Sequence, residues 1–131
     1  MNKEIRWKQR FQNFESAYQK LEKAAGQESY SEMERAGLIQ FFEFTFELAW
    51  KTLKDYLESE GYVTKSPKET LKQAFQIGLL ADGHTWMDAL EDRNLLAHTY
   101  DEKTSLKVQG LIKKKYFPAM KSLYQALKKL S

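Results

Sequence analysis

Leu38-Ile39-Gln40-Phe41-Phe42-Glu43-Phe44-Thr45-Phe46-Glu47-Leu48-Ala49-Trp50-Lys51-Thr52-Leu53 is apolar on nearly every side when wound at the helical repeat. A helix of that kind is either central to a bundle or covered by a second chain. Its start is marked by Ser31-Glu32-Met33-Glu34, a capping box in which the Ser31 hydroxyl and Glu34 carboxylate satisfy first-turn amides. It should run to about Glu60 and stop at Gly61. Trp50 is read as part of the core, so Trp50→Ala should cost about 3–5 kcal/mol.

Working outward, Trp7, Phe11, Phe14, Tyr18, Leu21 and Ala25 step by four and three, which predicts an amphipathic helix ending near Gly26. On the other side, Ser66-Pro67-Lys68-Glu69 is a second capping box with proline at the first helical position. It opens a short helix carrying Leu71, Ala74 and Phe75 that Gly78 ends. Asp82-Gly83 reads as a turn, with His84 at the next helix start in a surface or capping role. After Tyr100, Asp101 can cap a last long helix burying Val108, Ile112, Tyr116, Ala119, Leu123, Leu127 and Leu130. Pro118 should kink or split it. Lys113-Lys114-Lys115, Lys121 and Lys128-Lys129 give that helix a basic side, read as a solvated face or, alternatively, a phosphate-tracking one. The fold class is all-α: one antiparallel bundle of four to five helices over residues 1–131.

Composition bounds the function. At 131 residues the chain has room for one core. Six Gly, two Pro and few β-branched runs suit helices. A net charge of +3 is compatible with nucleic acid but is too small to demonstrate it. With no Cys and only two His, disulfides and thiolate or His-rich metal sites are not expected. No apolar leader or membrane-length run is present, so the expectation is a soluble cytoplasmic protein without membrane contact. No glycine-rich phosphate loop or strand-borne carboxylate pair occurs, so nucleotidyl transfer by this chain itself is not expected.

Polar chemistry is concentrated in Glu91-Asp92-Arg93-Asn94-Leu95-Leu96-Ala97-His98-Thr99-Tyr100-Asp101, placed at the end of a helix whose buried face begins at Trp86. At about 100° per residue, Arg93, Ala97 and Tyr100 share one side and Asn94 and His98 a neighbouring one. Arg93 and His98 would then diverge by roughly 140°. One bundle interior does not easily take both, which points to a cleft that reaches past a single chain. The plain alternative is two cations near a helix carboxyl end. Glu43, Glu47 and Lys51, spaced by four, form a polar stripe, either a solvated face with Glu-to-Lys pairing or a carboxylate shelf beside Arg93. Which glutamate would hold the guanidinium is not decided by spacing.

Arg-Asn-x-x-x-His followed by x-Tyr resembles the signature of the HEPN family of small helical proteins. The blocks Phe42–Tyr56 and Trp86–Asn94, in that order, are similar to the nucleotidyltransferase substrate-binding proteins, the group beside the HepT toxins. The resemblance extends from about Phe11 to Tyr124. It implies a HEPN-type bundle and a partner in a minimal nucleotidyltransferase encoded nearby; a two-fold homodimer is expected from the nearly all-round apolar second helix and the divergence of Arg93 and His98. The resemblance also implies metal-independent RNA cleavage within a toxin-antitoxin pair, with Arg93, His98 and Asn94 as the catalytic set. Here His98 would move protons, Arg93 would hold the scissile phosphate, and Asn94 would orient His98 from one turn earlier. Tyr100 matches the HepT tyrosine that the partner enzyme adenylylates, and could otherwise touch RNA. Glu43 and Glu47 would be supporting residues. The chain itself would need no cofactor, ATP being used by the partner. The alternatives are a non-catalytic module that binds nucleotide or substrate for the nucleotidyltransferase, and a purely structural helical dimer.

Overall fold

The computed structural model describes residues 2–131, apart from the side chain of Asn94. Asn2 opens α1 (Lys3–Ala25) by accepting from the Glu4 and Ile5 amides. The Ser31–Glu34 box opens α2 (Glu32–Ser59), with both reciprocal bonds formed at 3.1 and 2.8 Å. α2 stops where predicted: Gly61 takes φ 91°, and the Gly61 and Tyr62 amides turn back onto Glu58 and Leu57. That pattern needs a left-handed residue, which glycine adopts without strain.

α3 (Pro67–Gln76) is capped by Ser66, but the Glu69 carboxylate bonds the Lys65 amide at 2.6 Å rather than closing the expected box on Ser66. Asp82, read as a turn residue, caps α4 (Gly83–Asp92) through the Thr85 amide and hydroxyl. Asp101 caps α5 (Glu102–Leu111) as expected. A π-turn (Ile112–Tyr116) joins α5 to α6 (Phe117–Leu130), so the last rod is split ahead of Pro118. Proline has no amide proton, and its ring collides with the carbonyl four residues back; a widened turn removes both conflicts. Among the described residues there is no strand, and no helix is long and apolar enough to cross a membrane.

α2 is the central helix, packing against α1, α3, α5 and α6. It lies antiparallel to α1, because Trp7 meets Tyr56 edge-on and Arg10 reaches Asp55. Asp55 is buried, with Arg10 Nε at 2.9 Å and Arg6 Nε at 3.7 Å, so the carboxylate is paired where water cannot serve it. Tyr18 stacks on Tyr124 at 4.2 Å, tying α1 to α6, and Phe46 stacks on Trp86, tying α2 to α4. The fold is an all-α bundle of five rods.

Three further features differ from expectation. Leu130, expected on the buried side of the last helix, is 43% exposed at its end, where the rod runs past the core. Trp50 is half-buried rather than central, because its indole N–H donates to Glu47 Oε2 at 2.9 Å and so holds the ring near the rim. The lysines of the last rod are not a uniform solvated face either. Lys113 donates to the Gln27 carbonyl and lies over the Tyr30 ring, Lys115 bonds Asp88, and Lys128 bonds Glu15. Lys114 and Lys121 are exposed.

Candidate functional site

The polar stretch does not continue α4. Residues Arg93–His98 form a 3-10 helix whose start has no side-chain cap. With three residues per turn, side chains three apart eclipse one another. Arg93 therefore shares its side with Leu96, and His98 shares its side with Leu95, which replaces the grouping expected from an α-helical repeat. The divergence of Arg93 and His98 persists, now at about 120° on an ideal 3-10 helix. Leu95 and Leu96 are half-buried against the core and hold the segment down, while Arg93, Ala97 and His98 stay exposed.

Arg93 stands at the rim of an open cleft of about 320 Å³ between α2 and the 3-10 helix, lined also by Glu43, Phe46, Glu47, Leu96 and Ala97. Of the two candidate carboxylates, Glu47 is the one that engages it, with Arg93 Nη1 3.0 Å from Glu47 Oε1. The other Glu47 oxygen accepts from Trp50, so one carboxylate is fixed from two sides and aims the guanidinium. Both partners are about 40% exposed (39% and 43%), where an ion pair contributes little to stability and can be exchanged for a ligand. A guanidinium carries five N–H donors, and this bond uses one of them.

His98 and Tyr100 lie on the other side of the segment. Their rings meet edge-on at 6.0 Å, and Tyr100 is 85% exposed. Tyr100 lines a second cleft, of about 290 Å³, with Glu32, Arg35, Thr99, Glu102 and Ser105. Among the described residues, no hydrogen bond or ion pair joins Arg93 to His98. One chain thus brings Arg93 to Glu47 and His98 to Tyr100, but does not bring the two pairs together. The role expected of Asn94 lies outside the described residues; along the backbone, the residue one 3-10 turn before His98 is Leu95.

Sequence reasoning missed the cluster that adjoins the start of the segment. Asp88 and Asp92 lie one turn apart on α4, and the π-turn presents Lys115 and Tyr116 to them. Lys115 Nζ is 2.5 Å from Asp88 Oδ2, and the Tyr116 hydroxyl donates to Asp92 Oδ2. The hydrogen bond to Lys115 draws the Asp88 carboxyl below its usual range. Burial first, and then the Asp92 carboxylate, push the Tyr116 phenol well up. No sequence signal links an aspartate on α4 to a tyrosine on another helix. The nearest hint was Pro118, which forces the widened turn.

Residues 9–129 match the family described as nucleotidyltransferase substrate binding protein like. The chain belongs to that family. A Haemophilus influenzae relative named Probable ribonuclease HepT is 34% identical over 82 residues, a match covering 59% of this chain and 56% of that protein. The match therefore spans little more than half the length of the curated relative. Among solved structures, a Thermus thermophilus protein superposes with a TM-score of 0.78 at 35% identity, covering 89% of this chain and 98% of that one. A Haemophilus influenzae structure, described as revealing the fold of a substrate binding domain of a nucleotidyltransferase, superposes with a TM-score of 0.81. It is 26% identical and covers 90% of this chain and 98% of its own.

Proposed function

We propose that this chain is the partner subunit of a minimal nucleotidyltransferase and that its Arg93–His98 segment cleaves RNA without a metal. The observation that carries the reading is the exposure of Arg93, His98 and Tyr100 on a segment anchored by Leu95 and Leu96. Burial explains the leucines; no packing role explains the three polar side chains. The family description supports the partner role, and the name of the HepT relative supports RNA cleavage. In the reaction, the ribose 2′-oxygen attacks the adjacent phosphorus while a base removes its proton. The 5′-oxygen leaves with a proton from an acid, giving a 2′,3′-cyclic phosphate and a 5′-hydroxyl end. His98 carries one of these two proton transfers, taking the 2′-hydroxyl proton or giving one to the leaving oxygen. The His98 of the second copy, or water, carries the other, and Arg93 offsets charge on the phosphoryl oxygens. DNA lacks the 2′-hydroxyl and is inert.

Because the two residues face apart, the reading places them in a two-fold homodimer in which one protomer's Arg93 works near the partner's motif. The outer face of α2 supports this. Phe44 is 53% exposed and lines a cleft with Phe41, Leu48 and Ala17 beside the polar Asn13, Ser16 and Lys20, a mixed surface that a second copy would cover. Light scattering should give a dimer mass at about tens of micromolar, where a standard-size interface remains closed. A monomer there sinks the dimer.

Tyr100 is the nucleotidyl acceptor in this reading. Its phenol oxygen attacks the α-phosphorus of ATP bound by the partner enzyme, pyrophosphate leaves, and the added nucleotide blocks the motif. The chain itself uses no cofactor. Incubation with the nucleotidyltransferase encoded nearby and ATP should raise the mass of the wild type by a nucleotide and leave Tyr100→Phe unchanged. An adduct surviving in Tyr100→Phe overturns the acceptor assignment. If the wild type neither gains mass nor cleaves RNA, the family description favours a module that only binds substrate for the transferase.

A further inference from the structure

The 3-10 helix begins without a side-chain cap, yet its first residue, Arg93, must hold a defined position to meet Glu47. What fixes that start is Asp92, the residue at which the backbone changes from α to 3-10. Its carboxylate accepts the hydroxyl of Tyr116. Tyr116 is in turn rigid: its ring is 4% exposed and stacks on Phe42 of α2 at 5.7 Å and 18°. One turn before, Asp88 is tied to Lys115 of the same π-turn.

We propose that Tyr116, acting through Asp92, is a positioning residue for the Arg93–His98 segment, and that the π-turn exists to deliver it. A regular α-helical turn would rotate Tyr116 away from Asp92, since one extra residue in a turn shifts every later side chain by about 100°. Arg93 is then held from two sides: its backbone by the Asp92–Tyr116 bond and its guanidinium by Glu47. The clasp works at the helix junction and touches no substrate. Its consequence for RNA cleavage rests on the function proposed above, whereas its consequence for the segment does not.

The test is amide hydrogen exchange on the full chain, followed residue by residue. Tyr116→Phe keeps the ring and its stack but removes the donor. Amides of residues 93–98 should then exchange on the order of tenfold faster or more, as expected for losing one charge-assisted hydrogen bond in a locally opening segment. Amides in α1 should be unaffected. Asp92→Asn, which keeps an acceptor oxygen for Tyr116 but loses the charge, should accelerate exchange less than Tyr116→Phe does; Asp92→Ala should match Tyr116→Phe. Tyr124→Phe is the control, because Tyr124 also donates to a carboxylate, that of Glu15, on α1. It should leave residues 93–98 unchanged. Unaltered exchange at 93–98 in Tyr116→Phe overturns the proposal, as does acceleration spread evenly over the whole chain. If wild-type protein cleaves RNA, Tyr116→Phe should lower kcat with KM nearly unchanged. If it cleaves none, the proposed function fails while the exchange result still decides the clasp.

Discussion

If the segment cleaves RNA as proposed, Arg93→Ala and His98→Ala should each lower cleavage by about 10²–10⁴-fold, the usual loss when a positioned acid-base or charge-stabilising group is removed. Both variants keep the bundle, because both side chains are exposed and the Arg93–Glu47 pair contributes well under about 1 kcal/mol. The check is cleavage of an RNA oligomer beside its DNA counterpart, with thermal midpoints recorded on the same samples. In the proposed reaction the two residues cannot replace one another, since one would carry charge and the other would move a proton. Wild-type rates in either variant would remove the catalytic assignment. Glu47→Gln offers an intermediate case. It removes the charge and leaves a single acceptor oxygen for two donors, the Arg93 guanidinium and the Trp50 indole N–H, yet keeps Arg93 itself, so a smaller loss is expected than for Arg93→Ala.

The largest effect on stability is expected at Phe14, whose side chain is fully buried (0% exposed) between α1 and the rest of the core. Phe14→Ala should lower unfolding free energy by about 3–5 kcal/mol, from lost apolar burial and the cavity left behind. Trp50→Ala should cost less, roughly 1–3 kcal/mol, because the half-buried ring removes less area from water. It should also release Glu47 and so loosen the hold on Arg93. Lys114→Ala, at an exposed position, should cost less than about 0.5 kcal/mol. Urea midpoints of the three variants provide the measurement. Equal shifts for Phe14→Ala and Trp50→Ala would mean that the ring of Trp50 is a core residue after all.

Helices and their ends were legible along the chain because they depend on neighbours a few residues away. The Ser31–Glu34 box, the left-handed stop at Gly61 and the cap at Asp101 each need only a local pattern. The central position of α2 followed from apolar residues on nearly all its sides, since such a helix has no face to give to water. The motif itself was visible as residue types, Arg93, His98 and Tyr100 within eight positions. Its geometry was not. Whether a short stretch winds as α or 3-10 depends on what anchors it, and here that is Leu95 and Leu96 below and the Asp92–Tyr116 bond behind. The choice of Glu47 over Glu43 was likewise tertiary. Both lie on the same stripe of α2, and only the height at which Arg93 crosses that helix selects between them. Trp50 looked like core because large aromatics usually are, until a single acceptor, Glu47, drew its polar edge to the rim. Periodicity reports what a helix must bury; only the packed bundle decides which charged groups meet across helices.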